Sequence, residues 1–359
     1  MKRARQSLTV LRGLAILAVL LNHASMLGLN LLEENGRSSA CYGLIACNQI
    51  PMFAVPAFLF LSGYFTAYAS HGASPASCWR VTRVRLRGLL WPYLIWSLVV
   101  YAGQIATGKG YPIAEFARRF VLGQVALPYY FVPLLIQFYL LAPLVVRSAK
   151  ERARLLFTIS ATLQLVTMGL FYLRIYDVPL MRPFEVLVDA GPALFVRWTL
   201  FFALGAIVWY HRRAFRAHLA PLKWWLLGAV VVLGVLSIVE SEIAARYVGT
   251  LPEARHMTKL STTLFSLVVI LLFVALDRVQ FPLAEWIEQI GARSYGIYLI
   301  HYHVMLYGLR GIEHSMPWLL SRQCLLQVAL VAIGLAVPLL LMAGVARSPM
   351  RRYYRLIFG

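Results

Sequence analysis

The sequence predicts an all-α polytopic integral membrane protein with about ten transmembrane helices and both termini on the cytoplasmic side. Three observations carry that prediction. Of the 359 residues, 60% are hydrophobic and only 13% are charged, far from the balance of a soluble globular domain. Apolar runs long enough to cross a bilayer, roughly 20 residues each, recur from one end of the chain to the other. The excess of positive charge, 34 Lys and Arg against 14 Asp and Glu, alternates from loop to loop, as the positive-inside rule requires of a multi-span chain. A net charge of +20 would suit a nucleic-acid binder, but charge that alternates between loops is topogenic, so no nucleic-acid partner is expected.

Each span follows from its flanks. The first, residues 8–29, comes after Lys2, Arg3 and Arg5. A basic start before an apolar run also fits a cleaved signal peptide, yet this run is longer, contains Arg12 and His23, and is followed by no clean small-x-small cleavage site, so it is read as a retained helix. A near-neutral outer loop with Glu33, Glu34 and Arg37 follows, and Cys41 and Cys47 share it at a spacing that permits a disulfide; Cys78 and Cys324 read as inner-side and intramembrane thiols. Residues 50–70 return to the basic group Arg80, Arg83, Arg85 and Arg87, and 88–107 lead out again. Residues 129–146 come back to Arg147, Lys150, Arg152 and Arg154; 154–173 cross to the loop with Arg174, Asp177, Arg182, Glu185 and Asp189. Residues 194–210 descend to Arg212, Arg213, Arg216 and Lys223, and 222–240 rise to Glu240, Glu242, Arg246, Glu253 and Arg255. Residues 258–276 reach the 277–292 loop, whose Asp277, Arg278, Glu285 and Glu288 give no positive signal; 293–310 and 322–345 close the set before Arg347, Arg351, Arg352 and Arg355. No internal repeat, low-complexity tract, metal-ligand spacing or appended soluble domain is apparent, so residues 1–359 read as a single transmembrane domain. Pro51, Pro56 and Pro92 lie in or near spans, where broken helices persist only if protein or a cavity satisfies the freed backbone groups, which suggests a central cavity.

Ionisable residues within a span cost a few kcal/mol on insertion scales, so Arg12 and His23 call for a reason. Eleven residues separate them, close to three helical turns, which places both on one face about 16 Å apart. Arg12 alone reads as a snorkelling anchor, and His23 alone as an interhelical hydrogen bond. Together, with Asn22 beside the imidazole, they read as a path from a cytoplasmic anion to a buried reactive ring. Asn22 itself, about 100° round the helix from His23, is expected to face a neighbouring helix. Farther along, spacings of three and four put Ser294, Tyr298 and His301 on one stripe, with His301 about 12 Å in from Arg293 as a wall of the cavity. His303, His314, His211, His218, His256 and His71 read as loop or helix-end residues, and Glu240 and Glu242 as caps in solvent.

At this point the chain resembles the acyltransferase 3 family of integral-membrane acyltransferases, whose first helix carries an Arg, ten residues, then a His, here Arg12 and His23. Arg5 matches an earlier family Arg, although "TVLR" puts Thr9 and Val10 where the family tends to have Asp and Gly. "VPAFLFLSGYF" (Val55 to Phe65) is similar to the second family helix, ending in Ser62, Gly63 and Tyr64. "RVRLRGLLWPYLIW" (Arg83 to Trp96) resembles the basic run into the third, "YYFVPLLIQFYLLAPLV" (Tyr129 to Val145) a helix ending at Tyr139 and Pro143, and "ARSYGIYLIHYHV" (Ala292 to Val304) the late segment with Ser294, Tyr295, Tyr298 and His301. Between 150 and 280 the match is only that of generic helices.

The resemblance implies transfer of an acyl group, most often acetyl, from cytoplasmic acyl-CoA to a hydroxyl of a surface or exported glycan, in a multi-pass protein of the cell membrane with polysaccharide-biosynthesis proteins as possible partners. Arginine suits the phosphates of CoA because its guanidinium forms charge-assisted, often bidentate bonds, and Arg5, Arg12, Arg85 and Arg87 stand at the cytoplasmic mouth; the same cluster also serves topology. His23, as a neutral imidazole, is cast as general base, with an acyl-imidazole intermediate as the alternative. Asn22, Ser62, Tyr64, Tyr298 and His301 are expected in the substrate cavity, and no metal is expected. A glycan or lipid-linked sugar transporter is the rival reading, although the two halves show no matching pair of Gly/Pro-broken helices of the kind inverted repeats produce.

Overall fold

The computed structural model describes residues 6–34, 42–70, 75–189, 191–248, 259–276 and 279–359, and among these it is all-helical with no strand. Among the described residues, seven helical segments are long and apolar enough to cross a membrane: Gln6–Leu32, Gly43–Ala69, Cys78–Ala106, Leu127–Glu151, Ala153–Ile175, Arg212–Ala245 and Gln323–Arg347. Two more, Phe195–Tyr210 and Leu260–Ala275, are apolar but shorter, and the remaining expected span forms the helix Ser294–Ser315, which carries His301, His303, Arg310, Glu313 and His314.

The helix α1 (Gln6–Glu34) is the axis of the molecule. Leu11, Ala15, Ile16, Leu20 and Ala24 on it are fully buried, because other helices surround it. The chain continues through α2 (Tyr42–Gln49), a single 3-10 turn (Ile50–Phe53) and α3 (Ala54–Ala69). The span expected at 50–70 is therefore a broken helix that starts earlier, at Gly43. Pro51, which has no N–H to give a continuous helix, lies in the turn that breaks it. Next come α4 (Pro75–Ala106), α5 (Ile113–Leu122), α6 (Phe131–Glu151), α7 (Ala153–Ile175), α8 (Arg182–Asp189) and α9 (Thr199–Tyr210). The order ends with α10 (Arg212–Leu219), α11 (Lys223–Val248), α12 (Leu260–Ala275), α13 (Ala284–Ala292), α14 (Ser294–Ser315), α15 (Gln323–Arg347) and α16 (Tyr354–Phe358).

Around α1 stand α2, α3, α13, α14 and α15; α3 pairs with α9, α11 with α12, and α4 with α6 and α16. Lipid tails are as apolar as leucine, so helices in a bilayer associate by close packing, and small residues permit it. Two crossings show this. A Cβ on Gly63 of α3 would overlap the Phe202 carbonyl oxygen, and one on Gly205 of α9 would overlap that of Phe60. A Cβ on Gly13 of α1 would overlap the Ile287 carbonyl oxygen of α13, and one on Gly291 would lie 2.9 Å from the Gly13 nitrogen. Helix α9 is buried along almost its entire length, so protein rather than lipid surrounds this short apolar element.

Candidate active site

The face of α1 that carries Arg12 and His23 borders a cavity of about 1290 Å³. Residues from Thr9 to Asn30 of α1 line it, a rise of about 31 Å, comparable to the hydrocarbon thickness of a bilayer. α3, α4, α6 and α14 supply the other walls.

One end is cationic. Arg12, Arg85 and Arg293 line it, and the described lining includes no Asp or Glu. Arg12 Nε donates to Ser294 Oγ at 3.1 Å, and Ser294 is buried at the start of α14. Arg85 Nη1 donates to the Tyr139 hydroxyl at 3.4 Å, with its guanidinium 5.5 Å from that ring's centroid. Arginines with hydrogen-bonded orientation and no carboxylate in the described lining have the chemistry to receive an anion.

His23 occupies the middle. Its ring centroid is 5.2 Å from that of His301 and 5.4 Å from that of Tyr302, and its Nδ1 is buried with no hydrogen-bond partner among the described residues. His301 stands behind it. The His301 Nδ1 is 2.7 Å from the Tyr298 carbonyl and 3.1 Å from that of Ile297; carbonyls only accept, so this nitrogen carries the hydrogen and Nε2 holds the lone pair. That Nε2 is buried without a partner among the described residues. Tyr298 lines the cavity and donates its hydroxyl to the Pro128 carbonyl. Tyr295 donates to the Leu89 carbonyl at 2.6 Å, which ties α14 to α4.

The described lining of the far end is polar without charge. Asn22 Nδ2 donates to the Asn48 backbone carbonyl at 2.8 Å, so Asn22 faces α2 as expected, and both asparagines border the cavity with Asn30. The structure thus brings Arg12, Asn22, His23, Ser62, Arg85 and Tyr298 to one cavity. His301 is in ring contact with His23 but does not line the cavity.

Other expected residues lie elsewhere. Arg87 is exposed and outside the cavity wall, because residues two apart on a helix point about 200° apart and Arg85 holds the inward position. Tyr64 turns away from Ser62 for the same reason and meets Trp209 edge-on at 5.3 Å. Arg5 and Cys41 lie outside the described residues, so the Cys41 to Cys47 disulfide that the spacing permits does too. Two expectations are corrected. Glu240 is no solvent cap: it accepts from the Tyr172 hydroxyl and from the Ser261 N–H and hydroxyl. His303 is no helix-end residue but sits well inside α14, its Nε2 buried. Arg293 and Asn48 are cavity residues that the sequence reading did not select; Arg293 is visible in retrospect as the basic neighbour of Ser294, whereas nothing in the sequence marks Asn48.

An all-helical chain with several membrane-spanning helices around an internal polar cavity defines a multi-pass membrane protein with a buried site. Residues 5–346, nearly the whole chain, match the profile described as an acyltransferase domain, that of the acyltransferase 3 family. The chain belongs to that family, and its class is that of membrane acyltransferases. No curated protein and no solved structure matches it.

Proposed function

We propose that the protein is an O-acyltransferase of the cell membrane that moves an acyl group, most simply acetyl from cytoplasmic acetyl-CoA, to a hydroxyl of a surface or exported glycan. One observation carries the reading: a single cavity, with no Asp or Glu in its described lining, joins three arginines to a buried imidazole and continues past it. Arg12, Arg85 and Arg293 suit the phosphates of the donor, whose chemistry is that of a group carrier. A pantetheine-length arm laid along α1 would bring the thioester to His23, about 16 Å from Arg12. His23 takes the proton of the attacking hydroxyl as its oxygen bonds to the thioester carbonyl carbon, and returns that proton to the departing thiolate. His301, which holds its own hydrogen on the backbone side, backs the His23 ring. The acceptor reaches the imidazole from the end marked by Asn30 and Asn48, opposite the cations.

The test is acetyl-CoA binding by calorimetry and release of free thiol, with purified wild type against His23→Ala in detergent. Both proteins are expected to bind, and thiol release in the variant is expected to fall by roughly 10²- to 10⁴-fold, the usual contribution of a general base. Wild-type turnover by the variant removes His23 from the chemistry. No binding by folded wild type refutes the donor site and favours a transporter.

A further inference from the structure

The far end of the cavity is tied to a buried charge. Lys259, the residue that precedes α12, is 1% exposed. Its ammonium donates to Gln49 Oε1 at 2.8 Å and also to Ser241 Oγ. An ammonium has three donors and no acceptor, so Gln49 must turn its oxygen towards it. The other end of that amide, Nε2, then donates to Asn48 Oδ1 at 3.0 Å. Asn48 is fixed in turn: its oxygen is taken, and its Nδ2 is directed to α1. There it lies 3.5 Å from both the Asn22 carbonyl and Ser25 Oγ, at the long limit of a hydrogen bond. Asn48 lines the cavity, and Asn22 is the residue before His23.

A buried lysine is costly in a membrane protein and marks function by default. A neutral amide or hydroxyl at position 259 would satisfy Gln49 equally well, but it could donate or accept and would leave the amide chain free to run either way. What only a cation does here is impose one direction. Glu240, through Tyr172 and Ser261, secures α7, α11 and α12 round the same point.

We infer that Lys259 is a positioning residue: through Gln49 it sets the polarity of the amide chain so that Asn48 presents a weakly engaged N–H donor to the cavity beside Asn22 and His23, where it meets an oxygen of the hydroxyl-bearing acceptor. The inference rests on the acyl-transfer reading above. The cations that suit the donor's phosphates are at the other end of the cavity, so the group met by Asn48 belongs to the acceptor side.

Gln49→Glu tests the direction. The new carboxylate still accepts from Lys259 but cannot donate to Asn48, so the Asn48 amide reverses and turns its oxygen towards α1. The assay supplies radiolabelled acetyl-CoA to membrane vesicles that contain their own glycan, and measures label in glycan against label released as free acetate. That ratio normalises for the amount of folded protein. The expected result is at least a tenfold fall in the ratio with acetyl-CoA affinity within twofold of wild type. Asn48→Asp, which removes the donor without touching the Lys259 contact, is expected to do the same and serves if the first variant misfolds. A ratio within twofold of wild type in a folded variant overturns the inference. Wild-type vesicles that place no label in glycan overturn the acyl-transfer reading itself, and the inference with it.

Discussion

Replacing Arg12 by glutamine measures what the cationic end of the cavity contributes. Among the described residues the guanidinium makes one side-chain hydrogen bond, from Nε to Ser294 Oγ at 3.1 Å, and its remaining N–H groups are the ones a ligand would meet. Hydrogen bonds to charged groups contribute about 1.5–3 kcal/mol each, so loss of one phosphate contact predicts acyl-CoA binding weaker by about 10- to 100-fold. Ser294→Ala leaves the charge but removes its orientation; a typical net hydrogen bond of about 0.5–1.5 kcal/mol predicts roughly two- to tenfold. Arg12→Lys keeps the charge without the fork and falls between. If Ser294 acts only through Arg12, the double variant Arg12→Gln with Ser294→Ala binds no worse than Arg12→Gln alone, since coupled residues are non-additive. Calorimetric titration of acetyl-CoA into each purified variant gives the four constants, with thermal unfolding as a check on folding. Wild-type affinity in Arg12→Gln, or additive losses in the double variant, would refute the reasoning.

Three further perturbations probe the scaffold. Gly63→Ala drives a methyl into the Phe202 carbonyl oxygen and is expected to destabilise by about 1–3 kcal/mol. Gly169→Ala, whose added carbon meets nothing within 4 Å, is expected to be neutral or slightly stabilising as a helical glycine replaced, and equal melting temperatures for the two variants would dismiss the crossing argument. Outside the spans, Arg118 and Arg119 hydrogen-bond to Glu115 and hold its carboxyl down at about 2 against an ordinary 4.5. A depressed carboxyl stabilises the fold above its ordinary pKa and loses that effect as the pH falls through its folded value, so any stability difference between wild type and Glu115→Gln is expected to close between pH 4.5 and 2; a difference that stays constant over that range speaks against it.

Helical period made Arg12 and His23 legible as a pair, because eleven residues return a side chain to the same face. The same arithmetic explains the errors. Arg85 with Arg87, Ser62 with Tyr64, and His301 with His303 are each two residues apart, a separation that sends side chains to nearly opposite faces, and in two of these pairs only one member lines the cavity. For Arg85 with Arg87 and Ser62 with Tyr64, motif likeness selected both members where geometry admits one. Asn48 and Lys259 were out of reach for another reason. Their roles depend on the 3-10 break at Ile50–Phe53, which brings the end of α2 against α1, and on a contact between residues 210 positions apart. No local pattern encodes either.

The two ends of the cavity differ in a way that assigns direction to the proposed reaction. In the proposed reaction the arginines at one end, with no Asp or Glu in the described lining, suit an anionic carrier, and the other end, where the lining offers asparagine and apolar side chains, suits it less. An uncharged, hydroxyl-bearing acceptor meets the reverse preference: it gains nothing from the cations and finds amide groups at the far end. His23 lies between, on a helix that lines the cavity from Thr9 to Asn30. Burying Arg12 and His23 on α1 is costly for a membrane helix, and the cost is offset only if each meets a partner in the cavity. Ser294 is such a partner for Arg12 within the protein; for the unpartnered Nδ1 of His23 none exists among the described residues. Its Nδ1 thus has no hydrogen bond among the described residues, which in the proposed reaction leaves it to exchange a proton with whatever the two ends deliver.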